Sequence, residues 1–159
     1  MEEKHRNREK QRCARKRVEI VSLKMVREST FLYDPRRISC PADGLMMAKM
    51  FLEDKDREEF IVITLDTKNQ PTSVNVCSKG SLNASLVHPR EVFKTAVISN
   101  AATVLLAHNH PSGNPEPSKE DIKITKRLNE AGKILGIKVL DHLIIGSDSY
   151  YSFKEQEKI

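Results

Sequence analysis

The sequence predicts one α/β domain, a mixed sheet flanked by helices. Three observations predict it. The chain has 159 residues, about one domain's worth, and a chain near this size hides roughly two-thirds of its unfolded surface. Short β-branched runs alternate with stretches of helical period. Apolar residues make up 38% and charged residues 31%, which excludes a chain disordered over its whole length.

The elements follow in order. Val18, Ile20, Val21, Leu23, Met25 and Val26 predict a first strand near 18–26. Residues 27–39 are polar with one proline and read as a loop or irregular strand. Pro41 is placed to open a helix, because its missing N–H costs nothing in the first turn. That helix carries Leu45, Met46, Met47, Ala48, Met50, Phe51 and Leu52, with Lys49 on its polar side, although Gly44 weakens its start. A β-branched run over 58–66 is a strand opened by Glu58 and Glu59. A turn at 67–71 leads to an alternating strand over 72–77, and Gly80 marks the next turn. Pro89 opens a helix to about residue 100, with Val92, Phe93, Ala96 and Val97 at helical spacing. Residues 103–107 form a short strand, and the proline-rich stretch 109–117 a loop. Ser118 caps a helix that Gly136 stops, with an apolar stripe of Ile124, Leu128, Ala131 and Leu135. A strand over 137–145, a turn at 146–149 and a short strand over 150–153 complete the sheet.

Charge divides the chain in two. Residues 1–17 hold eight basic and three acidic residues, so this leader carries the whole net charge of +5. The remaining part, 18–159, has 19 basic and 19 acidic residues and forms the neutral domain. A basic leader suits contact with DNA, and a solvated tail explains the same charges. No apolar run approaches the ~18 residues of a membrane span, and the first residues have no apolar h-region of a secretory signal. Cys13, Cys40 and Cys77 are odd in number with no CxxC pair, which argues against a disulfide framework and a thiolate zinc site. A reducing cytoplasm is the expected compartment.

The stretch that carries chemistry is His108-Asn109-His110-Pro111, six residues, Ser118, two residues, Asp121. Residues two apart on a strand share a face, so both imidazoles can reach one point. Asp121 falls in the first turn of the next helix, which a tight loop can fold back over the strand end. Two imidazoles, a carboxylate and an open fourth position are a catalytic zinc arrangement. Such an ion lowers the pKa of a bound water from ~15.7 toward ~7. Ser118 is placed to steady a developing oxyanion, a role worth ~3–4 kcal/mol in well-studied oxyanion holes. The general base must come from elsewhere, and the Glu58–Glu59 pair is the best candidate. The two carboxylates point to opposite faces, so only one can face the metal.

The spacing H-x-H-P-x6-S-x2-D resembles the motif of the JAB/MPN/JAMM metallohydrolases, zinc-dependent peptidases and isopeptidases of cytidine-deaminase-like fold. Flanking stretches resemble the RadC branch: Gly80-Ser81-Leu82-Asn83, Val87-His88-Pro89-Arg90-Glu91-Val92-Phe93, Glu116-Pro117-Ser118 and Leu140-Asp141-His142-Leu143-Ile144-Ile145-Gly146. The likeness runs from about Pro41 to Phe153. It implies zinc on His108, His110 and Asp121 and water activation by the glutamate that opens the strand. Arg57-Glu58-Glu59-Phe60 fits the R-E-x-F of RadC-like chains, which favours Glu58. The resemblance also implies hydrolysis of a peptide or isopeptide bond, and a link to DNA repair that would fit an accessory protein with a structural or vestigial metal. Two departures stand out. Asn109 lies where many JAMM peptidases have Ser or Thr, and where full-length RadC proteins have an upstream helix-hairpin-helix domain this sequence offers the leader and a short segment, so it resembles a short RadC-like form.

Simpler roles compete. Ser118 and Asp121 also fit a helix-capping pattern with no catalysis. The letters H-N-H are not a nuclease signature here, because those nucleases spread the three residues over a longer ββα-metal unit. His88 and His142 read first as hydrogen-bonded structural residues, with support of the metal ligands as the functional alternative. Arg90 reads as a surface ion-pair partner and His5 as a solvated leader residue.

Overall fold

The structure, a computed structural model, describes residues 16–80 and 87–159. Its elements run α1 (Pro41–Leu52), β1 (Glu59–Leu65), β2 (Pro71–Lys79), α2 (Pro89–Ile98), β3 (Thr103–Asn109), α3 (Lys119–Leu135), β4 (Lys138–Ile145) and β5 (Tyr150–Ser152). The strands form one sheet in the order β2-β1-β3-β4-β5. β1 is antiparallel to both β2 and β3, and β4 is antiparallel to β5. Only β3 and β4 are parallel, so the chain must cross the sheet between them, and α3 makes that crossing.

Period-two alternation sends side chains to two cores. Phe60, Val62, Val104 and Leu106 face α2 and α3, where Phe93 and Leu128 meet them. Ile61, Ile63, Leu105 and Leu143 face α1, where Met47 and Leu52 meet them. β1 and β3 are therefore buried along their whole lengths, which explains their near-continuous apolar sequence. Each such side chain contributes about 1.5–3 kcal/mol on burial. Gly44 lies on the buried side of α1, where a Cβ would come within 2.8 Å of Leu105. The residue that weakens the helix start thus lets the helix approach the sheet.

Several expectations need correction. No strand forms over 18–26: residues 16–32 have no regular structure, and Ile20 and Val26 are exposed. β-propensity measures fit to a pleated, half-buried surface, and among the described residues no strand lies beside this segment to supply one. Leu135 and Val97 are exposed too. On α3 the buried face runs through Asp121, Ile124, Thr125, Leu128 and Gly132, so it turns away from Leu135. β3 continues two residues beyond the expected end and includes His108 and Asn109. Most of the leader, and residues 81–83 of the first RadC-like stretch, lie outside the described residues.

Candidate metal centre

β3 delivers His108 in its penultimate position, and His110 follows the strand end. The loop after it is tied to the β4–β5 turn. His110 N–H donates to Ile145 O at 2.9 Å, and Ser147 N–H donates to Gly113 O at 3.0 Å. Gly113 has φ +82°, and a Cβ there would collide with Ser147 Oγ, so glycine is required at this crossing. The loop then returns Ser118 to the strand end as the N-cap of α3.

Asp121 is the third residue of that helix. Its N–H donates to Ser118 Oγ at 3.1 Å, and its Oδ2 accepts from Ser118 N–H at 2.7 Å and from Ser118 Oγ at 2.6 Å. This is a closed capping box. It fixes the helix start, and it also aims the carboxylate at the histidines. Asp121 Oδ1 lies 3.3 Å from His108 Nε2, and Oδ2 lies 3.5 Å from His110 Nε2. The two Nε2 atoms are 3.1 Å apart. One ligand atom from each of the three residues falls within 4.8 Å of the others.

The outer hydrogen bonds assign the imidazole tautomers. His110 Nδ1 lies 2.8 Å from Asn114 O, a pure acceptor, so Nδ1 carries the proton and Nε2 a lone pair. For His108 the assignment runs through a buried relay. Thr125 Oγ1 donates to Asp121 O at 2.6 Å, so it must accept from His142 Nδ1–H, also at 2.6 Å. His142 Nε2 is then an acceptor for His108 Nδ1–H at 2.9 Å. His108 Nε2 is left with its lone pair facing the cluster. Two lone pairs and a carboxylate converge with no proton among them in the neutral state. That donor set fits a cation with imidazole and carboxylate ligands.

Burial pushes the pKa values of His108 and His142 down, so both rings favour the neutral form. Hydrogen bonding to Asp121 outweighs the effect of burial at His110 and raises its pKa. Burial alone would raise Asp121, but the neighbouring His108 and His110 rings, which donate to it when protonated, and the Ser118 hydroxyl hold it well below the usual carboxylate range. Phe60 stacks on His108 at 5.9 Å, and Phe153 on His142 at 5.1 Å, which shields the inner side. His108 and Asp121 are buried, and His110 is the ligand candidate that reaches solvent.

The two glutamates separate as alternation requires. Glu59 is buried and lies 3.8 Å from Lys79, its ladder partner on β2. Glu58 is half-buried and stands two residues before Phe60, which packs on His108. Its negative charge favours the protonated forms of both His108 and His110.

His88 is the N-cap of α2: its Nδ1 accepts from Arg90 N–H at 3.3 Å, and its Nε2 lies 3.2 Å from Arg127. Arg90 pairs with Glu91 on the surface. His142 is a buried, hydrogen-bonded residue as expected, and its two partners are His108 and Thr125. Sequence reasoning assigns no functional role to Thr125 or Asn109. A threonine four residues after Asp121, on the same helix face, was the available signal for the first. A polar Asn109 at the end of a buried strand is the signal for the second.

Fold and site together define a JAB-like α/β domain with a His-His-Asp cluster compatible with a metallohydrolase. The RadC-like JAB domain matches residues 38–158, and the chain belongs to that family. It is 50% identical over 131 residues to a UPF0758 protein of Methanosarcina mazei, covering 82% of this chain and 57% of that protein. It is 54% identical over 122 residues to a UPF0758 protein of Geobacillus thermodenitrificans, covering 75% of this chain and 53% of that protein. A UPF0758 protein of Trichlorobacter lovleyi is 55% identical over 119 residues. The chain thus spans a little over half the length of these curated relatives. No helix among the described residues is long and apolar enough to cross a membrane.

Proposed function

We propose that this domain is a zinc-dependent hydrolase of the JAMM type that cleaves a peptide or isopeptide bond. The observation that carries the reading is the convergence of His108 Nε2, His110 Nε2 and an Asp121 carboxylate oxygen within 4.8 Å, with Glu58 acting on both rings. His108, His110 and Asp121 would hold the ion, and zinc suits two imidazoles and a carboxylate. When bound, the ion supplies a Lewis acid that polarises a carbonyl and lowers the pKa of water from ~15.7 toward ~7.

The chain's own residues supply the rest. The Glu58 carboxylate takes a proton from the attacking water and delivers it to the leaving nitrogen. Ser118 steadies the oxyanion by turning its O–H from Asp121 Oδ2 toward the substrate oxygen. His110 marks the solvent side, from which a substrate would approach.

Metal analysis tests the first half. One zinc per chain is expected, lost in His108→Ala and Asp121→Ala, and a folded wild type that takes up no zinc overturns the reading. A peptide library treated with zinc-loaded protein and read by mass spectrometry tests the second. Cleavage by wild type and none by Glu58→Gln is expected.

A second reading is a DNA-associated accessory protein with a structural or vestigial metal, favoured by the +5 charge gathered in residues 1–17. Deleting those residues would abolish DNA binding, and binding would fall steeply with salt. A cytoplasmic location is proposed on the unpaired cysteines, of which Cys40 and Cys77 are free thiols.

A further inference from the structure

The backbone around Glu58 is held by a side chain that has so far carried no role. Asn109 sits between the two histidines and is 5% exposed. Its Nδ2 donates to Arg57 O at 3.0 Å, and its Oδ1 accepts from Glu59 N–H at 2.8 Å. Those two groups flank Glu58 on either side. The carbonyl of Glu58 itself accepts from Gly80 N–H at 2.8 Å. Three consecutive residues at the mouth of β1 are thus pinned, two of them by one carboxamide.

The β1–β3 ladder explains why a side chain is needed there. Its pairs run from Leu65↔Thr103 to Phe60↔His108 and stop. The ladder has no pair beyond that point, and the Glu59 N–H is met instead by the Asn109 side chain. The Asn109 side chain extends the ladder by one step. It does so with a donor and an acceptor on one rigid plane, facing a carbonyl and an N–H. A Ser or Thr hydroxyl is a single atom and cannot span both. An Asp lacks the donor. Asparagine is therefore the residue type this geometry selects between the histidines.

We propose that Asn109 is a positioning residue for Glu58: its carboxamide clamps Arg57 O and Glu59 N–H, and so aims the Glu58 carboxylate at the His108–His110 pair. The proposal rests on the reading of Glu58 as the proton acceptor. It adds a physical link between the histidine motif and the glutamate strand, which lie about fifty residues apart in sequence.

Cobalt(II)-loaded protein tests it, with the pH midpoint of the visible spectrum as readout. A carboxylate close to the ion disfavours loss of a proton there, so Glu58→Gln lowers the midpoint by about one pH unit. Asn109→Ser still binds one cobalt per chain, lowers the midpoint in the same direction, and adds nothing when combined with Glu58→Gln. Amide hydrogen exchange is the second readout: the Glu59 N–H exchanges about tenfold faster or more in Asn109→Ser. An Asn109→Ser midpoint equal to wild type while Glu58→Gln moves it overturns the proposal, and so does full additivity in the double variant. If Glu58→Gln leaves the midpoint unmoved, or if no cobalt binds, the base or metal reading fails instead. The Glu59 exchange rate then decides the clamp alone, and an unchanged rate overturns it.

Discussion

His108 Nδ1 lies 2.9 Å from His142 Nε2, and both rings are wholly buried. A neutral histidine has one donor and one acceptor, so this contact leaves one proton placement consistent with the Thr125 hydroxyl beyond it. The orientation of His108 on β3 is therefore set from β4 and α3.

Replacing His142 breaks that control. His142→Phe keeps an aromatic ring between Phe60 and Phe153 but removes the acceptor for His108 Nδ1–H. Zinc affinity is expected to fall about 10–100-fold, the usual effect of losing an outer partner of a ligand. Competition with a chromophoric chelator measures it. Unchanged affinity would show that the ring orientation does not depend on the relay.

Ser118→Ala removes the acceptor for Asp121 N–H and the donor to its carboxylate. The metal-free protein is expected to lose about 1 kcal/mol, within the ~0.5–2 kcal/mol range for a lost N-cap. Urea unfolding without zinc isolates this effect from metal binding.

The metal-free protein becomes less stable in mild acid. His108 and His142 have depressed pKa values, from an ordinary value of 6.5. Below about 6.5 the unfolded chain binds protons that these buried rings refuse, so stability falls with pH. His110 has a raised pKa and works in the opposite sense, stabilising the folded state as pH drops. Asp141, raised by burial, works in the same sense as His110 as the pH falls toward the ordinary carboxylate range. With two depressed rings against one raised, the urea midpoint is expected to be lower at pH 5.5 than at pH 7. A midpoint that rises in acid contradicts the neutral assignment of His108 and His142.

Gly132→Ala tests the packing of α3. Alanine gains up to about 1 kcal/mol of helix propensity over glycine. Its Cβ would lie 2.5 Å from the backbone oxygen of Ile137 and 3.2 Å from Phe93. The clash with backbone is expected to dominate, for a net loss of about 1–3 kcal/mol. Thermal or urea unfolding reads it.

Much of the site is legible in the sequence because it is local. The i, i+2 spacing of His108 and His110 and the capping pattern of Ser118 and Asp121 depend on strand and helix periods alone. What escapes is non-local. His142 supports His108 because β4 runs parallel to β3 with Leu106 opposite His142, which places His108 two residues along on the same face. Asn109 reaches Arg57 and Glu59 only after β1 and β3 pair. The expected strand over 18–26 is absent for the converse reason: its residues have the right propensity, but no strand among the described residues pairs with them.

The contact between His110 Nδ1 and Asn114 O has a kinetic consequence. His108 belongs to a central strand and Asp121 to a capped helix, so neither can swing away without disturbing the core. His110 alone is steered by a loop carbonyl four residues on. Ion capture and escape would then be timed by the motion of residues 110–117, while the resting geometry is set by the sheet. Stiffening that loop would slow exchange in both directions and leave the equilibrium nearly where it was.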